Sequence, residues 1–286
     1  MRERTQSFDP RQTMRRNTFE IFHYHDPRPA DVSLHHHDFY EVYYFLDGQM
    51  DYRVEGRIYH LQPGDLLLIG PMEFHQPVAQ SGAEKLERIV LWINKAYLEQ
   101  FTGADVSLTR CFDTSRAGHT NLLRLSPTQR TDFTLRMGEL LRETYGPDYA
   151  SDLASQGILL QLMVELNRVA IRAEEQGSAQ ESSALISGVL QYISENYNED
   201  LSLDTLARQF YVSKYHLSHE FSRVVGTSVY RYILLKRLQI AKQMLAAGIS
   251  PGAVCEHCGF GDYANFYRAF KSQYGISPRD CARPER

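Results

Sequence analysis

Upstream of Asn94 the chain alternates short apolar runs with turn signals. Residues 39–46, 58–61, 66–69 and 86–93 are rich in aromatic and β-branched side chains, and Asp47-Gly48, Glu55-Gly56 and Pro63-Gly64-Asp65 separate them. That rhythm predicts a small antiparallel barrel or sandwich. Further on, the period lengthens to that of helices. Phe133, Met137, Leu140 and Leu141 mark one helix over about residues 128–145, and Leu159, Leu162, Met163, Leu166, Val169 and Ala170 mark another over 152–175. A polar stretch of small residues, 176–183, then reads as a linker.

Beyond the linker every element reads as helical. Leu185, Val189, Tyr192 and Ile193 form one apolar stripe, and Leu203, Leu206, Ala207 and Phe210 form a second that ends at Tyr211-Val212. Ser213 is placed to cap a third helix by accepting from its first free N–H groups. Leu217 and Phe221 face inward on that helix, and Gly226 stands where a left-handed C-terminal residue is needed. A short helix, a tight turn and a capped helix with a polar outer face is the helix-turn-helix plan. The plan then returns. Val254, Cys255 and Cys258 repeat Leu206, Ala207 and Phe210 at an offset of 48 residues. After a turn one residue longer, Asp262, Phe266, Phe270, Gly275 and Ser277 repeat Ser213, Leu217, Phe221, Gly226 and Ser228 at an offset of 49. Tyr230, Ile233, Leu234, Leu238, Ala241 and Leu245 trace the helix expected to join the two units.

Residues 184–286 resemble the DNA-binding domain of the AraC/XylS family. The resemblance is carried by residues 203–210, residues 213–221, Arg237…Ala241…Leu245, and Val254…Gly259-Phe260…Phe266…Phe270-Lys271…Gly275-Ile276-Ser277-Pro278. Cys281-Ala282 stands where that family usually has a Tyr-Arg pair. The resemblance implies a transcription regulator that reads double-stranded DNA in two successive major-groove segments. From the helical faces, Ser213, Lys214, Tyr215, Ser218, His219, Ser222 and Arg223 of the first unit are candidate DNA contacts. Tyr263, Ala264, Tyr267, Arg268 and Lys271 are those of the second. Arg268 is the candidate base reader, because a guanidinium can bond guanine O6 and N7 together. Arg223 and Lys271, nearer the helix ends, suit phosphate.

Charge sharpens the division. The whole chain carries −4, but residues 184–286 hold 12 Lys/Arg against 9 Asp/Glu and residues 1–183 hold 19 against 26. A mildly basic end of +3 thus follows an acidic half of −7. The expected organisation is therefore 1–175 as effector-binding and dimerisation domain, 176–183 as linker and 184–286 as DNA-binding domain. The fold class is α+β with two domains: a β-barrel with a helical pair, then an all-α domain. No apolar run approaches the length that spans a bilayer, the first six residues lack the apolar core of a signal peptide, and four cysteines make no disulfide scaffold; a reducing cytoplasm is expected. Cys255-x-x-Cys258 beside His257 invites a redox or zinc reading, but both cysteines fall at core positions of the repeat, where small thiols act as apolar filler.

A second constellation lies at residues 35–77: His35-x-His37-x-x-x-Glu41, Gly48, Pro63-Gly64-Asp65 and Gly70-Pro71-Met72-Glu73-Phe74-His75. Read as a strand, His35, His37, Phe39, Glu41, Tyr43 and Phe45 share a face and His36 points away; Arg88, Val90 and Trp92 share one face of the last strand, with the inward face undetermined. A lining of His35, His37, Glu41, Tyr43, His75, Arg88 and Trp92 suits a small polar effector such as a sugar. Over about residues 18–95 this stretch resembles the cupin fold, which implies an effector-binding barrel that helps pair two chains. The helix at 152–175 is the dimer candidate, with folding back onto the barrel the alternative. RNA polymerase is a further candidate partner. His35, His37, Glu41 and His75 match the metal-holding positions of cupin enzymes, but the effector reading is taken without metal or other cofactor. A metal-dependent cupin enzyme fused to a DNA-binding domain is the alternative, and no Ser/His/Asp or Cys/His nucleophile set, phosphate loop or nucleotide fingerprint supports any other enzyme class.

Overall fold

A computed structural model describes residues 6, 12–27, 31–80, 85–103, 106–176 and 183–282. The expected linker therefore lies, except for its two ends, outside the described residues. The chain forms two compact units, Met1–Val54 with Ile58–Glu181, and Ser182–Arg286 with Glu55–Arg57.

The first unit holds eight strands among the described residues. They are β1 (Phe19–Asp26), β2 (Tyr40–Gly48), β3 (Met50–Val54), β4 (Arg57–His60), β5 (Asp65–Ile69), β6 (His75–Ala79), β7 (Leu86–Ile93) and β8 (Leu122–Arg124). They form two sheets, as the sandwich form of the expected barrel or sandwich has, one in the order β1-β7-β2-β5-β8 and one in the order β4-β3-β6. The two-residue period of β2 and β7 divides the larger sheet into two buried faces. One face carries Val42, Tyr44, Ile89 and Leu91 and packs on helices. The other carries Tyr43, Phe45, Val90 and Trp92 and packs with Tyr52 and Val54 of β3. Both faces are covered, which is why β5 and β7 read as nearly continuous apolar runs.

Helices α1 (Lys95–Glu99), α2 (Pro127–Tyr145) and α3 (Ser151–Gln176) complete this unit. Ser126 caps α2 in a reciprocal capping box with Gln129, and Pro127 at the first position accepts the helical φ readily. Phe133, Met137 and Leu140 of α2 and Leu159, Leu162, Met163 and Leu166 of α3 enter the same core as the sheet. The apolar stripe of α3 is thus spent on its own domain.

The second unit runs α4 (Ala184–Glu195), α5 (Leu203–Gln209), α6 (Lys214–Val225), α7 (Val229–Ala246), α8 (Pro251–His257), α9 (Tyr263–Tyr274) and α10 (Pro278–Cys281). Two details of its expected core change. On α4 the fully buried residues are Ile186, Val189, Leu190 and Ile193, while Leu185 and Tyr192 are only half-buried. On α7, Tyr230 is 77% exposed and Tyr232 is buried instead. Tyr230 sits in the first turn, beyond the elements that surround the middle of α7 nearly all round.

Candidate functional site

The two helix-turn-helix units are built by the same local bonds. Ser202 caps α5 and Ser250 caps α8, each accepting from the N–H three residues on. In the turns, Val212 N–H donates to Ala207 O and Phe260 N–H to Cys255 O, both at 3.0 Å. The additional residue of the second turn is Gly261, after which Ser213 and Asp262 cap α6 and α9. Gly226 and Gly275 close those helices in the left-handed conformation, with φ of 84° and 74°. Ser228 and Ser277 then cap α7 and α10. Leu217 and Phe221 are buried in the first unit, as are Phe266 and Phe270 in the second.

Inward anchors determine what faces out. Lys214, Tyr215, His219, Ser222 and Arg223 are exposed on α6, with Ser218 half-buried. Tyr263, Ala264, Arg268 and Lys271 are exposed on α9, with Tyr267 half-buried. Lys214 pairs with Asp204 at 2.7 Å and Arg223 with Glu220 at 2.8 Å. Exposed pairs of this kind contribute about 1 kcal/mol or less and yield to a stronger anion. Arg268 donates to Asn265 and to the Ala264 carbonyl one turn back, and the Lys271 ammonium lies 6.0 Å from the Tyr267 ring centroid. Arg237 on α7 holds the entry to the first unit, donating to the carbonyls of Tyr197 and Glu199, both at 2.7 Å. Cys255 and Cys258 are buried in the second unit's core with Val254, Phe266 and Phe270. Burial pushes both thiols up, Cys258 to about 11. Cys281 and Ala282 pack against that same core.

The histidine and glutamate cluster has a different origin from the one expected. His35 and His37 precede β2 and do not share its period, so the loop carries them. His35 pairs with His75 by two main-chain bonds of 3.1 and 2.9 Å, and Met72 N–H donates to the His37 carbonyl at 2.7 Å. These bonds set the His35 and His75 rings 4.2 Å apart and the His37 and His75 rings 4.7 Å apart. His37 stacks on Phe39 at 3.8 Å with the planes 4° apart. Glu41 on β2 then reaches within 3.3 Å of His37 Nε2, close enough for attraction though without hydrogen-bond geometry. Its carboxylate accepts from Trp92 Nε1 at 2.8 Å and from Tyr52 Oη at 3.3 Å.

His37, Glu41, His75, Tyr43 and Trp92 are all buried on the inner face, and His35 is half-buried. Burial would raise the Glu41 carboxyl, yet the His37 imidazole, His35 and the Trp92 N–H hold it below its ordinary value. Burial pushes His75 well down and His35 down. His36 points away from the cluster onto Phe74 but is buried rather than exposed. Arg88 lies on the same inner face, four residues along β7 from Trp92, in a buried ion pair with Asp26 and 4.9 Å over the Tyr24 ring. Tyr52 and Asp26 are the cluster residues that sequence reasoning missed. The alternation of Met50, Tyr52 and Val54 with Asp51 and Arg53, between two Gly turns, was the available signal for Tyr52. Outside this face, a groove of about 400 Å³ lies along α2 and α3, lined by Gln129, Asp132, Arg136, Glu139, Glu165 and Arg172 among others.

An AraC-like ligand-binding domain model matches residues 19–190 and a helix-turn-helix domain model matches residues 206–283. HTH-type transcriptional regulator YbfI of Bacillus subtilis is 25% identical over 234 residues, covering 81% of this chain and 80% of its own length. HTH-type transcriptional activator RhaS of Escherichia coli O157:H7 is 22% identical over 252 residues, covering 88% and 87%. Fatty-acid-bound ToxT of Vibrio cholerae aligns over 93% of this chain and 96% of its own at 14% identity, with a TM-score of 0.41. No helix among the described residues is long and apolar enough to cross a membrane. The chain belongs to the AraC family of transcription regulators, with an AraC-like ligand-binding domain ahead of a helix-turn-helix DNA-binding domain.

Proposed function

We propose that the chain is a cytoplasmic, non-enzymatic regulator whose sheet-rich domain senses a small polar effector and thereby controls how the helix-turn-helix domain occupies or activates a promoter. The observation that carries this is the buried cluster of His37, Glu41, His75 and Trp92 on the inner sheet face. Polar side chains are costly to bury without partners, and a domain needing only stability would fill this face with apolar groups. Imidazole, carboxylate and indole N–H are the groups that bond hydroxyls and carboxylates, and aromatic faces stack on sugar rings. The proposed contacts are His35, His37, Glu41, Tyr43, His75 and Trp92, with Arg88 lining the same face further along β7. A sugar or related hydroxylated metabolite fits this donor and acceptor set.

On the DNA side, the proposed contacts are Ser213, Lys214, Tyr215, Ser218, His219 and Arg223 of the first unit. Those of the second are Tyr263, Ala264, Tyr267, Arg268 and Lys271. A homodimer is proposed as the working form, with exposed Leu135 and Leu153 on α2 and α3 as its apolar contacts, and RNA polymerase as the downstream partner.

The test is a thermal-shift screen of the full chain against sugars and related metabolites, followed by operator binding with and without the hit. A ligand that binds the folded state raises its melting temperature by mass action. His37→Ala and Glu41→Ala are expected to abolish the shift and the response while operator binding persists. Contact with about six phosphates would cost roughly a thousandfold in DNA affinity between about 50 and 200 mM salt. An effector response that survives both substitutions would move the sensing site elsewhere.

A further inference from the structure

Among the described residues of the helix-turn-helix domain, no large apolar side chain is more exposed than Tyr211, at 95%. Its backbone is left-handed, with φ of 56°. Its N–H donates to the Arg208 carbonyl at 3.3 Å. Among the described residues its hydroxyl has no hydrogen-bond partner and its ring no ring neighbour. The side chain therefore gains nothing from the fold, while its Cβ strains the backbone. Glycine or asparagine would relieve that strain. In the second unit the corresponding residue is Gly259, also left-handed, with φ of 71°. A Cβ there would stand 2.4 Å from the Asn198 carbonyl oxygen, so that turn must be bare. The first turn is open to solvent at the same place and carries a tyrosine.

The place of the turn identifies what this side chain meets. In a helix-turn-helix the first helix crosses the DNA backbone and the N-terminal residues of the second enter the major groove. The turn between them stands at the groove's edge, where the phosphates run. Tyr211 lies two residues ahead of Ser213, the cap of α6. The N-terminus of α6 favours negative charge, and the exposed Arg208 and Lys214 stand three residues to either side of Tyr211. A phenol is a hydroxyl donor on a flat apolar body, suited to bond a phosphate oxygen while its ring covers a deoxyribose. We propose that the Tyr211 hydroxyl donates to a DNA phosphate oxygen at the edge of the major-groove segment read by α6. The contact rests on the reading of α6 as a DNA-facing helix. Because Gly259 offers no side chain, it exists in the first unit only, and the two units hold the DNA backbone unequally. A neutral donor displaces no condensed cation, so the contact adds affinity on every sequence without steepening the salt dependence.

The experiment uses the full chain and a duplex of about 30 base pairs, long enough for two successive major-groove segments, selected from a random pool with the parent chain. Tyr211→Phe keeps the ring and the backbone strain and removes only the hydroxyl. It should weaken binding about three- to tenfold, as the loss of one hydrogen bond does. Its preferred sequence, salt slope and melting temperature should stay those of the parent. Tyr211→Gly should weaken binding at least as much while its melting temperature does not fall, a combination that a structural role for the side chain would not give. Unchanged affinity in Tyr211→Phe overturns the contact, including the case in which transcription is lost and the partner is a protein. A changed preferred sequence on reselection also overturns it, by making Tyr211 a base reader. A parent chain that selects no duplex overturns the DNA reading and the contact together, whereas the variants bear on Tyr211 alone.

Discussion

Tyr211 and Gly259 occupy the same position in the two helix-turn-helix turns, and both adopt left-handed backbone, with φ of 56° and 71°. Their surroundings differ. A Cβ on Gly259 would stand 2.4 Å from the Asn198 carbonyl oxygen, while Tyr211 is 95% exposed. Left-handed backbone costs a residue with a Cβ about 1–2 kcal/mol. Tyr211→Gly should therefore stabilise the chain slightly, by up to about 1 kcal/mol after the greater flexibility of the unfolded glycine is counted. Gly259→Ala adds both the strain and the clash and should cost about 2 kcal/mol or more. Denaturant unfolding of the two variants should give opposite signs; equal effects would mean the two turns are not equivalent.

That pair also marks where sequence reading works and where it stops. The repeat of Leu206, Ala207 and Phe210 in Val254, Cys255 and Cys258 was legible because caps, core anchors and closing glycines recur at set distances. The faces of α6 and α9 followed from two inward residues each. Helical geometry converts spacing into direction without knowledge of the rest of the fold. The histidine cluster was legible as a list but not as a geometry. His35 and His37 arrive by a loop bonded across to His75 and Met72, and no period describes that path. Which face of β7 turns inward was undecidable because both are covered. Tyr230 read as core because its angular position fits the stripe; what covers a helix end is a property of tertiary packing.

Cys255 and Cys258 should be inert to thiol reagents in the folded chain. Both are buried, the Cys258 thiol titrates at about 11, and only the thiolate reacts at a useful rate. Labelling with a maleimide should require unfolding, and chelators should leave operator binding unchanged. Rapid modification of either residue under native conditions would place it at the surface and revive a redox role.

Arg268 and Lys271 lie one turn apart on the exposed face of α9 and should fail in different ways. Arg268→Ala should lose preference at one or two base positions, at a cost of about 1–3 kcal/mol against the best site. Lys271→Ala, a point charge near the helix end, should weaken all sequences alike and reduce the salt slope by about one. Selection of binding sites from a random pool reads the first effect, and salt titration reads the second. A Lys271 variant with a new preferred sequence would reverse the assignment.

Arg88 and Asp26 form a buried ion pair in the sheet-rich domain, with their side chains 6% and 13% exposed. Breaking a buried pair leaves a charge in a low-dielectric site, so Asp26→Ala should cost about 3–5 kcal/mol. Removing both charges is a different matter. Asp26→Leu combined with Arg88→Met replaces the pair with apolar groups of similar volume, a change that is often neutral or stabilising. Tyr24 stays to pack on the methionine, since sulfur–aromatic contact replaces the cation over the ring. The double variant should therefore melt well above Asp26→Ala and near the parent chain. Because it stays folded, it also separates two roles for Arg88. If the guanidinium touches the effector, the folded double variant loses the ligand-induced thermal shift while its operator binding in the absence of effector is unchanged. A full shift in that variant would confine Arg88 to holding β1 and β7 together and shorten the proposed site to the cluster around His37 and Glu41.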